Sequence, residues 1–85
     1  MHEMSIALEV GRLVEERMKE CPGRLLRVAL EVGNDSGVEP GSLEFCLEAV
    51  LAHPPFNRPV VNLAQVDGDA LRLDFLEIDD GRPDN

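Results

Sequence analysis

Three consecutive residues at the start of the chain, Met1-His2-Glu3, carry its most distinctive coordination chemistry. A histidine in second position offers one metal ion three nitrogens: the α-amine of Met1, the deprotonated backbone amide of His2, and the His2 imidazole Nδ1. The first two close a five-membered chelate ring, and the amide and imidazole close a six-membered one. A fourth donor would come from Glu3, through its amide nitrogen or its carboxylate, or from another side chain. A square-planar, nitrogen-rich set suits Ni(II) or Cu(II) and suits Zn(II) poorly. The same histidine on a frayed terminus would bind nothing, so the feature takes its meaning from the elements that hold it.

The remaining residue types with chemical potential are scattered. Cys21 and Cys46 form no C-x-x-C, so they make neither a four-cysteine zinc site nor a disulfide scaffold. His53 becomes a second ligand only if the fold returns it to the amino terminus; otherwise it complements the dipole at a helix C-terminus. Asp35, in the turn cluster Gly33-Asn34-Asp35-Ser36-Gly37, could ligate a metal, but bonding to its own turn backbone is the preferred reading. Glu9, Glu15, Glu16, Glu44 and Glu48 lie on solvated helix faces, and no pair stands out as a catalytic dyad. There is no phosphate loop, G-x-S-x-G, H-E-x-x-H or EF-hand pattern. No catalytic residue is assigned, and the chain is not expected to be an enzyme.

Composition narrows the partners. Eighty-five residues with a net charge of −9 make one small acidic domain, with no basic stripe for nucleic acid. At 44% apolar residues the chain can bury a thin core. No run approaches the roughly 20 apolar residues that span a bilayer, and nothing resembles a signal peptide. The expected location is cytoplasmic, with reduced thiols.

The elements that must position the terminus follow from periodicity. Ile6, Val10, Leu13 and Val14, extended by Met18 and Cys21, recur at helical spacing, so a helix is expected from about Met4 to Glu20. Arg12 with Glu16, and Glu15 with Lys19, sit four apart on its polar face. Gly11 inside this helix implies close packing, expected against a sheet. Cys21-Pro22-Gly23 ends the helix. From Arg24 to Val32, Leu26, Val28, Leu30 and Val32 alternate with Arg27, Ala29 and Glu31 as in a strand with one buried face. Pro40 opens a second helix that runs to about Ala52, with Leu43, Cys46, Leu47, Val50 and Leu51 as its apolar stripe. Phe45 lies off that stripe, where it would cover an edge.

A rigid link, Pro54 to Pro59, leads to strands at Val60–Val66 and Ala70–Ile78. Asp67-Gly68-Asp69 between them predicts a hairpin. The last strand changes phase: Leu71, Leu73 and Phe75 share one face, Leu76 and Ile78 the other. Either a bulge near Phe75–Leu76 or cover on both faces accounts for this. Asp79 to Asn85 reads as a disordered tail. The fold class is α+β: two helices on one face of a three-stranded mixed sheet, in the order α-β-α-β-β. Strand order stays open.

Taken together, Met1-His2-Glu3-Met4-Ser5-Ile6-Ala7, the strand ending in Gly33, Ser36-Gly37-Val38-Glu39-Pro40 before a helix containing Leu43 and Phe45, and the closing segment Gly68-Asp69-Ala70-Leu71-Arg72-Leu73 with Leu76-Glu77-Ile78 resemble the HypA/HybF family of nickel-insertion proteins. The resemblance runs from Met1 to about Asp79. It implies a nickel-binding domain over 1–79, with a Ni(II) site at Met1, His2 and Glu3, and a tail at 80–85. It also implies delivery of nickel during [NiFe] hydrogenase maturation, with a HypB-type GTPase and the hydrogenase large subunit as partners. Family members carry a zinc domain with two C-x-x-C pairs between the last two strands. Here the hairpin at 67–69 stands in its place, so no structural zinc is expected. The alternative is a non-catalytic protein-binding module or regulator of a maturation complex, for which nickel is incidental. A homodimer through an open sheet edge is a further possibility.

Overall fold

A computed structural model describes residues 2–81, which form α1 (Glu3–Glu20), β1 (Arg24–Gly33), α2 (Pro40–Val50), β2 (Val60–Val66) and β3 (Leu71–Asp79). This is the expected α-β-α-β-β order, and the three strands form one mixed sheet. β1 is central. Its Val28, Leu30 and Val32, each at most 1% exposed, meet Leu43, Leu47 and Leu51 of the α2 segment and Ala7, Val10 and Val14 of α1. On the opposite face Arg27 and Glu31 reach solvent, as expected of a sheet covered on one side.

The strand order is β2-β1-β3, with β1 parallel to β2 and antiparallel to β3. The hairpin expected at 67–69 is therefore absent, because β2 and β3 lie on opposite sides of β1. Residues 67–70 instead arch over the C-terminal end of β1. Gly33 N–H donates to the Ala70 carbonyl at 2.7 Å, Asn34 N–H to Val66 at 2.7 Å and Asp35 N–H to Gly68 at 2.8 Å. Asp-Gly specifies a local reversal, but it does not specify which strands pair. The apolar central strand gains most by pairing on both sides, and that decides the order.

Two bulges set the faces. β1 and β3 pair as Leu30↔Leu73 and then Ala29↔Phe75, which leaves Asp74 as an extra residue on β3. The phase change read from the sequence is thus a bulge, one residue earlier than expected. It turns Leu71, Leu73, Leu76 and Ile78 all toward the core and leaves Phe75 outside, 51% exposed. A second shift lies between Leu25 and Arg27, so Leu25 is the buried residue and Leu26 is only half-buried.

The helices match their expected positions, with corrections in what they touch. Gly11 is buried against α2 and the following loop rather than the sheet: a Cβ there would lie 3.0 Å from Val50 Cγ1 and 3.9 Å from Phe56 Cζ. Alanine at this site gains about 1 kcal/mol of helix propensity and loses a similar amount to crowding. Gly11→Ala should therefore leave the urea midpoint nearly unchanged, whereas Gly11→Val should cost about 1–3 kcal/mol. On the solvent face Arg12 bridges Glu9 at 2.6 Å and Glu16 at 3.0 Å. The Glu15–Lys19 pairing does not form, and Arg17 stands 3.8 Å from Glu20 instead. Cys21 is exposed rather than part of the buried stripe, and Leu13 is 37% exposed.

In the first turn cluster it is Ser36 that bonds the backbone, its Oγ accepting from Val38 N–H at 3.3 Å; Asp35 takes part through its main chain. Phe45 is 71% exposed and covers no edge. After α2, Asn57 and Arg58 adopt left-handed backbone (φ 55 and 59), and Arg58 N–H donates to Leu51 O at 2.9 Å, so the chain turns into β2. At the end of β3, Gly81 N–H donates to Asp79 Oδ1 at 2.9 Å. Of the tail expected at 80–85, residues 82–85 lie outside the described residues.

Candidate metal centre at the amino terminus

α1 begins at Glu3 with His2 as its N-cap residue, in extended backbone (φ −93, ψ 90). The His2 carbonyl accepts the first helical bond, from Ile6 N–H at 3.2 Å. The His2 side chain makes no capping bond and is exposed. The first amides of any helix have no intrahelical acceptor. The amides of His2 and Glu3 can thus lose their protons to a metal without breaking a helical bond. The structure brings His2 and Glu3 into this position; Met1, the third residue of the expected site, lies outside the described residues.

Glu3 is held from a second direction. Its Oε2 accepts from the backbone N–H of Glu39 at 3.2 Å, across 36 positions of sequence. Glu39 is in turn the N-cap of α2, accepting from Gly41 N–H and Ser42 N–H, each at 2.9 Å, and from the Ser42 hydroxyl at 3.2 Å. The start of α1 is therefore fastened to the start of α2, and each start carries a carboxylate held by backbone amides. The Glu39 amide holds the Glu3 carboxyl below its ordinary pKa, and the Gly41 and Ser42 amides do the same for Glu39. Such charge favours an incoming cation.

Sequence reasoning singled out His2 and Glu3 but not the cap formed by Glu39. The available signal was an acid immediately before Pro40 at a helix start, where side-chain acceptors are favoured.

Both carboxylates titrate low in the folded chain, so the sign of the pH effect is fixed. Their stabilising bonds are complete above the ordinary glutamate value of about 4.3 and are lost as pH falls through the lowered folded values. The thermal midpoint should drop as pH falls below about 4.3. Glu39→Gln should show a shallower drop over that window.

His53 does not join this site. It follows α2 at the end opposite to Glu39, and an 11-residue helix is about 16 Å long. Its carbonyl serves the next turn, accepting from Phe56 N–H at 2.9 Å. Among the described residues no three His, Cys, Asp or Glu side chains assemble into a metal-holding group. None of the described helices is long and apolar enough to cross a membrane.

The fold is a small, open-faced α+β domain with an exposed histidine at the start of its first helix. Residues 1–78 match the family described as hydrogenase/urease nickel incorporation, metallochaperone, hypA, and the chain belongs to that family. Among curated relatives, the hydrogenase maturation factor HypA of Dechloromonas aromatica is 49% identical over 51 residues, covering 59% of this chain and 45% of the relative. The Paracoccus denitrificans HypA is 31% identical over 78 residues, covering 91% and 69%. The chain spans about half the length of several of the curated relatives that it matches. The solution structure of the Ni metallochaperone HypA from Helicobacter pylori superposes with a TM-score of 0.81 at 16% identity, over 92% of this chain and 97% of that one. At that identity the likeness establishes a shared fold.

Proposed function

We propose that this chain is a cytoplasmic nickel metallochaperone. It takes Ni(II) as cargo at its amino terminus and delivers it during [NiFe] hydrogenase maturation. The donors are the Met1 α-amine, the His2 amide and Nδ1, and a Glu3 nitrogen or oxygen. The supporting observation is the geometry at the start of α1: an exposed, uncapped His2 imidazole beside amides that the helix does not use. Release to another protein requires an open site, and a chain terminus supplies one. The chemistry is ligand exchange, with no bond-making catalysis. The proposal includes no structural zinc, on the ground that neither cysteine belongs to a C-x-x-C pair.

The recipient side of the proposal is a HypB-type GTPase and the hydrogenase large subunit. Deleting the gene should lower hydrogenase activity, and supplying excess nickel should restore much of it. Unchanged activity in the deletion at limiting nickel would overturn the delivery role. A second reading, a protein-binding module with incidental nickel, draws on the half-covered inner face of β3. It would be favoured if His2→Ala left both partner capture and hydrogenase maturation intact.

A further inference from the structure

β3 is an edge strand whose inner face is poorly covered. α1 packs chiefly on α2, and α2 packs on β2. Leu71, Leu73, Leu76 and Ile78 are consequently only half-buried. A groove of about 510 Å³ opens between α1 and β3, walled by Ile6 and Leu13 and floored by Leu71 and Leu73. We propose that a second copy of this chain docks on the free edge of β3, in one defined antiparallel register, joining the two three-stranded sheets into one. The inference does not rest on the nickel reading.

The bulge fixes the register. When two identical strands pair about a twofold axis normal to the sheet, directly opposite residues must face the same side. In a regular strand such residues are an even number apart. The extra residue at Asp74 instead puts Leu73 and Leu76 on one face, as it does Leu71 and Ile78. An axis between Asp74 and Phe75 then sets Leu73 opposite the second copy's Leu76, Leu71 opposite its Ile78, and Arg72 opposite its Glu77.

Hydrogen bonding selects the same register. Gly33 N–H donates to Ala70 O, so by the alternation of an antiparallel ladder Arg72 turns its backbone groups toward β1. Leu71 and Leu73 turn theirs to the free edge. Beyond the bulge, Phe75 and Glu77 turn inward opposite Ala29 and Arg27, and Leu76 and Ile78 turn outward. The residues with free edge groups are thus the ones this register sets opposite each other.

Charge agrees as well. On the outer face Arg72 already meets Glu31 at 2.6 Å, and Glu77 meets Arg27 at 3.2 Å. Pairing Arg72 with the second copy's Glu77 extends these into a row of alternating sign, Glu31–Arg72–Glu77–Arg27, across the seam. The exposed Phe75 lies beside the axis, where it meets its counterpart. The β2 edge offers no opposed charges among Val60–Val66, and its face is already covered by α2.

Sedimentation velocity of the whole chain, from micromolar to near-millimolar concentration, should show a reversible dimer. The register is read by cross-linking in a Cys21→Ser/Cys46→Ser background. A mixture of the Arg72→Cys and Glu77→Cys proteins should oxidise to a disulfide-linked dimer at least about tenfold more than either alone, because opposed Cα atoms in such a pair lie within disulfide reach. Arg72→Glu should weaken the dimer about tenfold, and exchanging the whole row, Glu31→Arg, Arg72→Glu, Glu77→Arg and Arg27→Glu, should restore it. A monomer at every concentration, equal cross-linking by either protein alone, or a charge exchange that fails to restore the dimer would each overturn the proposal.

Discussion

His2→Ala is expected to weaken Ni(II) binding by roughly a hundredfold or more, about 2.7 kcal/mol, while leaving the fold intact. The substitution removes the imidazole donor and with it the six-membered chelate ring. An exposed residue that caps nothing with its side chain contributes little to stability, so the thermal midpoint should be unchanged. His53→Ala, at the far end of α2, should bind nickel as the wild type does. Acidification should weaken wild-type binding steeply, because amine, amide and imidazole must all shed protons before they can ligate. Isothermal titration at two pH values, with both variants, reads all of these effects. Equal affinity in His2→Ala and the wild type would remove His2 from the site.

Gly33→Ala is expected to destabilise the fold by about 3 kcal/mol or more, a large share of the roughly 5–10 kcal/mol that holds a domain of this size together. A Cβ at residue 33 would collide with the carbonyl oxygen of Gly68 and would lie 2.8 Å from Ala70 O and 2.9 Å from Ala70 N. All three are backbone atoms of the arch, and none can swing aside. Relief requires lifting the arch off the end of β1, which sacrifices the Gly33–Ala70 and Asp35–Gly68 hydrogen bonds. Gly37→Ala is the useful contrast. Gly37 has φ 78 with open space around it, so only the left-handed backbone cost of about 1–2 kcal/mol applies. Urea unfolding should therefore rank Gly33→Ala well below Gly37→Ala. A Gly33→Ala midpoint within error of the wild type would mean that the arch is not packed as described.

The arch also marks where sequence reasoning reached its limit. Local signals were legible: Pro40 opens α2, Val60–Val66 coincides with β2, and the change of phase in β3 is a bulge. What failed was the identity of neighbours. Asp67-Gly68 carries a hairpin signal, but pairing depends on which strand offers the most apolar surface, a property of the assembled sheet. Gly11 was rightly read as a close approach, yet its partner proved to be Val50, because periodicity identifies a face and not what covers it. At the site, the coordination chemistry of His2 is visible in three consecutive letters. The bond from Glu39 to Glu3 is invisible there, since only the parallel sense of α1 and α2 brings residues 36 positions apart together.

That bond gives the terminus a physical setting. Glu3 is anchored on its carboxylate side, while His2 stays exposed. A Glu3 contribution through its amide nitrogen leaves the anchor intact, and one through its carboxylate would use Oε1 while Oε2 keeps the Glu39 bond. The open edge of β3 engages none of these groups, which sit at the helix starts, so the proposed pairing of two copies and metal loading are separable.

The most direct test of the central claim is a visible-absorption titration of Ni(II) into the untagged chain and into the same chain acetylated at Met1. Acetylation removes the amine donor and leaves every described side chain chemically unaltered. The account predicts that the untagged protein binds one Ni(II) per chain, with the d–d band of a square-planar, nitrogen-rich site and release of protons, and that the acetylated protein loses that band. Equal binding with the same band in both would contradict an amino-terminal site.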